Sequence, residues 1–214
     1  MWRILIIMAL SLLALTGAQQ QEQCGIFTAP GTLNIGISVS KEEALRQLLV
    51  CKELNDEINI DGVYFQVENM KLTGLMLAAD AGLNDIATDI LHHFAEVNAI
   101  DLDGSTALMF AAASGNINLL NILIDLNAEV NQKNLKGQTA LLFAAINGHQ
   151  TTVASLMEKG ANADLKDNAG RPALDYISVK GDVGMVKILA ANGANVNIQE
   201  THGWTPLMRA TYRG

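Results

Sequence analysis

The side chains best suited to metal binding or nucleophilic chemistry in this 214-residue chain are four histidines, His92, His93, His149 and His202, and two cysteines, Cys24 and Cys51. Adjacent residues on a helix point about 100° apart, so His92 and His93 do not make the two-ligand face that an i, i+4 pair would. His149 sits at a turn and His202 stands apart from the others. With no CxxC motif and no third sulfur ligand, neither a redox motif nor a zinc site is supported. Asp175 would be the one acid of interest, but its place just after Pro172 reads better as a cap for its own helix. No glycine loop sits between a strand and a helix where it could cradle phosphate. Catalytic residues, cofactor-binding residues and metal ligands are therefore expected to be absent, and the chain is not read as an enzyme.

The elements that carry these residues begin with a leader. Arg3 precedes a run at residues 4–15 that is apolar except for Ser11, and Thr16, Gly17 and Ala18 follow. That is the layout of a secretory signal peptide at residues 1–18, with cleavage after Ala18. As a helix the run rises about 18 Å, short of the ~30 Å hydrocarbon layer. Contact with a membrane is then transient, through the signal alone, and the mature chain is expected to be periplasmic or secreted. In such a compartment Cys24 and Cys51 could pair, closing a loop worth about 3 kcal/mol; a free buried Cys51 is the alternative. The formal net charge is −8, or −9 once Arg3 leaves with the signal. A chain this acidic is repelled by phosphate backbones, which excludes nucleic acid as the main partner.

The rest of the chain is periodic. Gly104, Gly137, Gly170 and Gly203 recur every thirty-three residues, as do Gly82, Gly115, Gly148 and Gly181, and Leu75, Leu108, Leu141, Leu174 and Leu207. Each copy reads as helix, turn, helix and loop. In "STALMFAAASG" Thr106 can cap the first helix and Gly115 can end it in the left-handed conformation. "NINLLNILIDLNA" sets Ile117, Leu120, Leu123 and Ile124 at helical spacing along one face. The tail "EVNQKNLKG" suits a short hairpin or loop. The alanine pairs 78–79, 111–112 and 144–145 fall mid-way along the first helix, where small side chains let neighbouring helices approach.

These copies, "DLDGSTALMFAAASGN" from Asp101, "NLKGQTALLFAAINGH" from Asn134, "DNAGRPALDYISVKGD" from Asp167 and "ETHGWTPLMRATYRG" from Glu200, resemble the ankyrin repeat. The resemblance implies an all-α solenoid of stacked helix–turn–helix repeats with short hairpin loops, over residues 68–214, as four complete copies and a final half copy. The signature histidine is replaced by Met76, Met109, Leu142, Asp175 and Met208, which leaves the threonine caps to act largely alone. Pro172 stands where the fourth cap belongs, with Ile177 and Ser178 in place of the alanine pair, so that copy should be the loosest. Upstream, residues 40–67 read as an N-terminal cap or degraded repeat, with a cap at Ser40 and a stripe of Leu45, Leu48, Leu49 and Leu54. Residues 19–39 read as an irregular or extended arm, and "YFQVENM" as a lengthened link. The chain stops at Gly214, which elsewhere leads into a second helix; an abbreviated cap or the front part of a longer protein would both look like this.

In ankyrin-like stacks the hairpin tips and the exposed side of the first helix line a continuous groove. Carried over copy by copy, those positions are Leu102, Asp103, Ser105, Ala113 and Ser114, then Leu135, Lys136, Gln138, Ile146 and Asn147. The next copy contributes Asn168, Arg171, Val179 and Lys180, and the last His202, Trp204, Tyr212 and Arg213. Leu102, Leu135 and Trp204 are apolar where water is expected, and aromatic and Arg anchors lie beside them, which is typical of protein interfaces. The other reading of Trp204 and Tyr212 buries them against the second half of their copy. With the leader, the resemblance implies a non-catalytic protein–protein interaction scaffold, exported from the cytoplasm, with a protein partner and no small-molecule substrate. Two alternatives are the docking or regulatory part of a longer enzyme or envelope protein, and a chaperone-like protective factor.

Overall fold

Short helices closed by glycine, at intervals too brief for long rods, dictate the architecture. The computed structural model describes residues 31–34, 40–54, 63–67, 70–93 and 95–213. The expected signal peptide, most of the arm, Cys24, Phe94 and Gly214 lie outside the described residues, as do the side chains of Cys51, Leu54 and Arg213. The cysteine pairing therefore falls outside them too.

The described elements are β1 (Gly31–Asn34), α1 (Lys41–Leu54), β2 (Val63–Val67), β3 (Met70–Thr73), α2 (Gly74–Ala81) and α3 (Asn84–His92). They continue with α4 (Ala107–Ser114), α5 (Ile117–Asp125), α6 (Ala140–Asn147), α7 (Gln150–Glu158), α8 (Ala173–Lys180), α9 (Val183–Ala191) and α10 (Pro206–Arg213). The chain divides into two units, Met1–Leu102 and Asp103–Gly214.

In the first unit Ser40 Oγ accepts from the Glu43 N–H at 3.1 Å and opens α1, as its place before two acidic residues predicts. Ala44, Leu45, Leu48 and Leu49 are buried. A Cβ on Gly74 would lie 3.2 Å from Leu48 and 3.5 Å from Leu45, so α2 approaches α1 through a residue without a side chain. Thr73 Oγ1 accepts from Met76 N–H at 3.3 Å and caps α2. The unit also carries a three-stranded sheet in the order β1-β2-β3, with β1 parallel to β2 and β2 antiparallel to β3. Strand thus occupies part of the arm and part of the stretch read as a link.

The second unit is the repeat in its regular form. First helices stack α4 on α6, α6 on α8 and α8 on α10, and second helices stack α5 on α7 and α7 on α9. Ala111, Ala112, Ala144 and Ala145 are fully buried, which is what close helix approach needs. Gly115 and Gly148 close α4 and α6 in the left-handed region, at φ 72 and 82. Two threonine caps of this unit differ. Thr139 Oγ1 accepts from Leu142 N–H at 3.3 Å, whereas Thr106 has the same extended backbone but makes no side-chain capping bond. Second helices have caps of their own, Asn116 on Leu119 and Asp182 on Met185.

Candidate functional site

One position organises each hairpin tip of the second unit. Asn134 Oδ1 accepts from the N–H groups of Lys136 and Gln138 at 3.0 and 2.9 Å. Asp167 Oδ1 does the same for Ala169 and Arg171, both at 2.9 Å. Glu200 Oε1 does so for His202 and Trp204, at 2.7 and 3.3 Å. An acceptor at the hairpin's first residue therefore answers the donors two and four residues on, and a backbone bond closes each hairpin, as from Asn134 N–H to Gln138 C=O at 3.0 Å. The His202 ring, 2.9 Å from Glu200 Oε2, holds the Glu200 carboxyl below its ordinary 4.5; the backbone N–H groups of Trp204 and His202 add to this, against the opposing effect of burial.

Successive tips are joined by main chain, Leu135 N–H to Asp103 C=O at 2.8 Å and Asn168 N–H to Lys136 C=O at 3.0 Å. Side chains repeat the linkage one copy apart. Asn168 Nδ2 donates to Leu135 C=O at 2.7 Å, Asn147 Nδ2 to Ala113 C=O at 3.0 Å, and Lys180 Nζ to Ile146 C=O at 2.9 Å. His149 belongs to the same set, with Nε2 3.0 Å from Ala113 C=O, so its part is structural, as its turn position predicts. His92 and His93, in the first unit, are exposed and half-buried.

These bonds fix where the expected surface residues lie. Leu135 is 71% exposed and Leu102, the last residue of the first unit, 68%. Asp103, Ser114, Lys136, Asn147, Asn168, Lys180, His202, Trp204 and Tyr212 are exposed; Ala113, Gln138, Ile146, Arg171 and Val179 are half-buried. Trp204 and Tyr212 meet each other edge to face, with ring centroids 5.3 Å apart and planes at 87°. The Asp103–Lys136 ion pair spans 3.8 Å at high exposure and contributes little to stability. Ser105 is the exception to the surface expectation. It is only 7% exposed, and its Oγ lies 3.4 Å from Asn134 Nδ2, so it supports the tip from within.

Asp175 also differs from its reading. It lies inside α8, not before it, and its side chain does not cap the helix. The carboxylate is buried and accepts from Arg209 Nε at 3.1 and 3.3 Å, with Arg171 Nε at 4.0 Å. Beside it Tyr176 donates its hydroxyl to Asp167 Oδ2 at 2.5 Å, and the Arg171 guanidinium lies 5.7 Å from the Tyr176 ring centre. Burial first, and then the Asp167 hydrogen bond, push the Tyr176 hydroxyl above its ordinary 10.0. The register held a signal for this cluster. Phe110, Phe143, Tyr176 and Arg209 occupy one repeat position, and Met109, Leu142, Asp175 and Met208 the position before it. An acid at an otherwise apolar position, followed one copy later by a cation in place of an aromatic ring, is the pattern of a pair made between copies.

Among the described residues no group of three or more His, Cys, Asp or Glu side chains could hold a metal ion. No helix among them is long and apolar enough to cross a membrane. The chain matches the family model described as Ankyrin repeats (3 copies) over three overlapping spans, residues 35–134, 75–167 and 108–200. The first span takes in α1. No individual curated protein matches the chain.

Proposed function

Because this chain belongs to the ankyrin-repeat family, whose repeats generally mediate protein–protein interaction and are typically non-catalytic, we propose that it is an exported scaffold that holds a protein partner. The partner lies against the hairpin tips and first helices of the second unit. The observation that carries this reading is the exposure of Leu135, Trp204 and Tyr212 on a frame braced copy to copy by hydrogen bonds. Exposed apolar and aromatic groups on rigid backbone bury area at low cost in lost freedom, the property of interface anchors. The polar groups around them, Asn147, Asn168 and Lys180, hold the frame and present a rim. Export is supported by the leader sequence, and removal of residues 1–18 would leave Gln19 first.

The test is a paired capture. The full chain with a C-terminal tag, and a variant carrying Leu135→Ser and Trp204→Ser, are expressed in the source organism and recovered from its envelope and secreted fractions. The expected result is one protein enriched by the unaltered chain alone, equal helicity in the two baits, and Gln19 as the first residue of both. Equal recovery by both baits contradicts the binding surface. Recovery from the cytoplasm with Met1 still in place contradicts export.

A further inference from the structure

A cavity of about 210 Å³ lies between α8, α10 and the preceding hairpin tip, lined by Arg171, Asp175, Tyr176, Val179, Arg209 and Tyr212. Its size excludes a cofactor or drug-sized ligand, whose pockets run to about 300–1,000 Å³; it suits one side chain. Its donors set the charge of that side chain. The cavity's own acid is already engaged, since Asp175 accepts from Arg209. Asp167, beneath, accepts from Tyr176 and from two backbone N–H groups. The cations are not used up in the same way. Arg171 pairs with Asp175 only at 4.0 Å, and its side chain stays 38% exposed; its Nε is buried without a hydrogen-bond partner, so the donors an incoming oxygen can reach are the N–H groups on its terminal nitrogens. Arg209 uses Nε on Asp175, and a guanidinium carries four further N–H groups on its two terminal nitrogens.

We propose that this cavity receives the carboxylate side chain of an aspartate or glutamate in an extended segment of the partner protein. The inference rests on the binding surface proposed above and names what that surface recognises at its C-terminal end. Arg171 supplies the charge-assisted bond, in the geometry for which a guanidinium suits a carboxylate better than an ammonium does. Tyr176 and Tyr212 line the cavity, and Trp204, edge-on to Tyr212, offers an apolar face to the residue beside the acid. The net charge of −8 opposes an acidic partner at long range, but screening confines that repulsion to about 8 Å at physiological salt, so the cations at the cavity decide the contact.

The probe is a displayed library of linear random peptides, selected on the full chain. Enriched peptides should share an Asp or Glu at a fixed distance from an aromatic or aliphatic residue. Changing that acid to its amide, or Arg171→Gln in the protein, should each weaken binding about tenfold, and both changes together should weaken it no further than either alone. Arg171→Lys should recover part of the loss, and added salt should weaken the acidic peptide more than its amide. A peptide family with no shared acid, or losses from peptide and protein that simply multiply, overturns the carboxylate inference. If those peptides still depend on Leu135 and Trp204, the surface stands without it. Acidic peptides that need Arg171 but bind the Leu135→Ser, Trp204→Ser variant unchanged would leave the cavity and remove the wider surface. A library from which nothing is enriched contradicts both.

Discussion

Gly137→Ala lowers the unfolding free energy by about 3 kcal/mol, as urea unfolding followed by circular dichroism will show. Two costs combine. Gly137 has φ 73, a conformation that costs an L residue about 1–2 kcal/mol. An added Cβ would also lie 2.6 Å from Asn168 Oδ1, 2.8 Å from Asn168 N and 3.0 Å from the carbonyl carbon of Asp167. Two of those atoms are backbone, so the neighbouring hairpin must move, and the Asn168 N–H bond to Lys136 C=O moves with it. Losing that bond adds about 1 kcal/mol. Gly148→Ala separates the two costs, because Gly148 has φ 82 but open space where its Cβ would go. It is expected to lose only the conformational part, about 1–2 kcal/mol. Equal losses at the two sites would show that tip-to-tip contact contributes nothing.

Leu141→Ala costs about 3 kcal/mol, while Leu207→Ala stays within about 0.5 kcal/mol of the unaltered chain. The two leucines hold the same repeat position. Leu141 is 2% exposed, in a helix packed against α4, α7 and α8, so its removal leaves a cavity that three neighbours cannot collapse into. Leu207 is 72% exposed, on α10, which packs against α8. Thermal unfolding should register the first change as a fall of about 6–12 °C and the second as almost none. A comparable fall for both would mean that Leu207 is covered in solution.

What could be read from the sequence follows the range of the interactions. Helix ends depend on local chemistry, so glycines such as Gly115 and caps such as Ser40 and Thr139 are visible in a short window. The period supplies stacking, because alanine pairs one copy apart must meet. Pairings outside the period stay hidden. Strand β1 joins β2 across about thirty residues, and nothing in either four- or five-residue segment names its partner. Asp175 looks like a cap when only its own helix is considered, and its partner Arg209 lies thirty-four residues on. Ser105 shows the limit of transferring positions: the tip expected to expose it folds over it, because Asn134 draws its side chain inward. Apolar residues at tips were the most legible of the surface features, since Leu102 and Leu135 break the polar pattern of the loops around them.

Hydrogen exchange on the complex with the captured partner tests the central claim most directly. Binding through the tips and first helices predicts added protection at residues 134–138, 167–171 and 200–204 and in α6 and α8, with α5, α7 and α9 unchanged. Protection of α5, α7 and α9, with the tips exchanging as in the free chain, would contradict it.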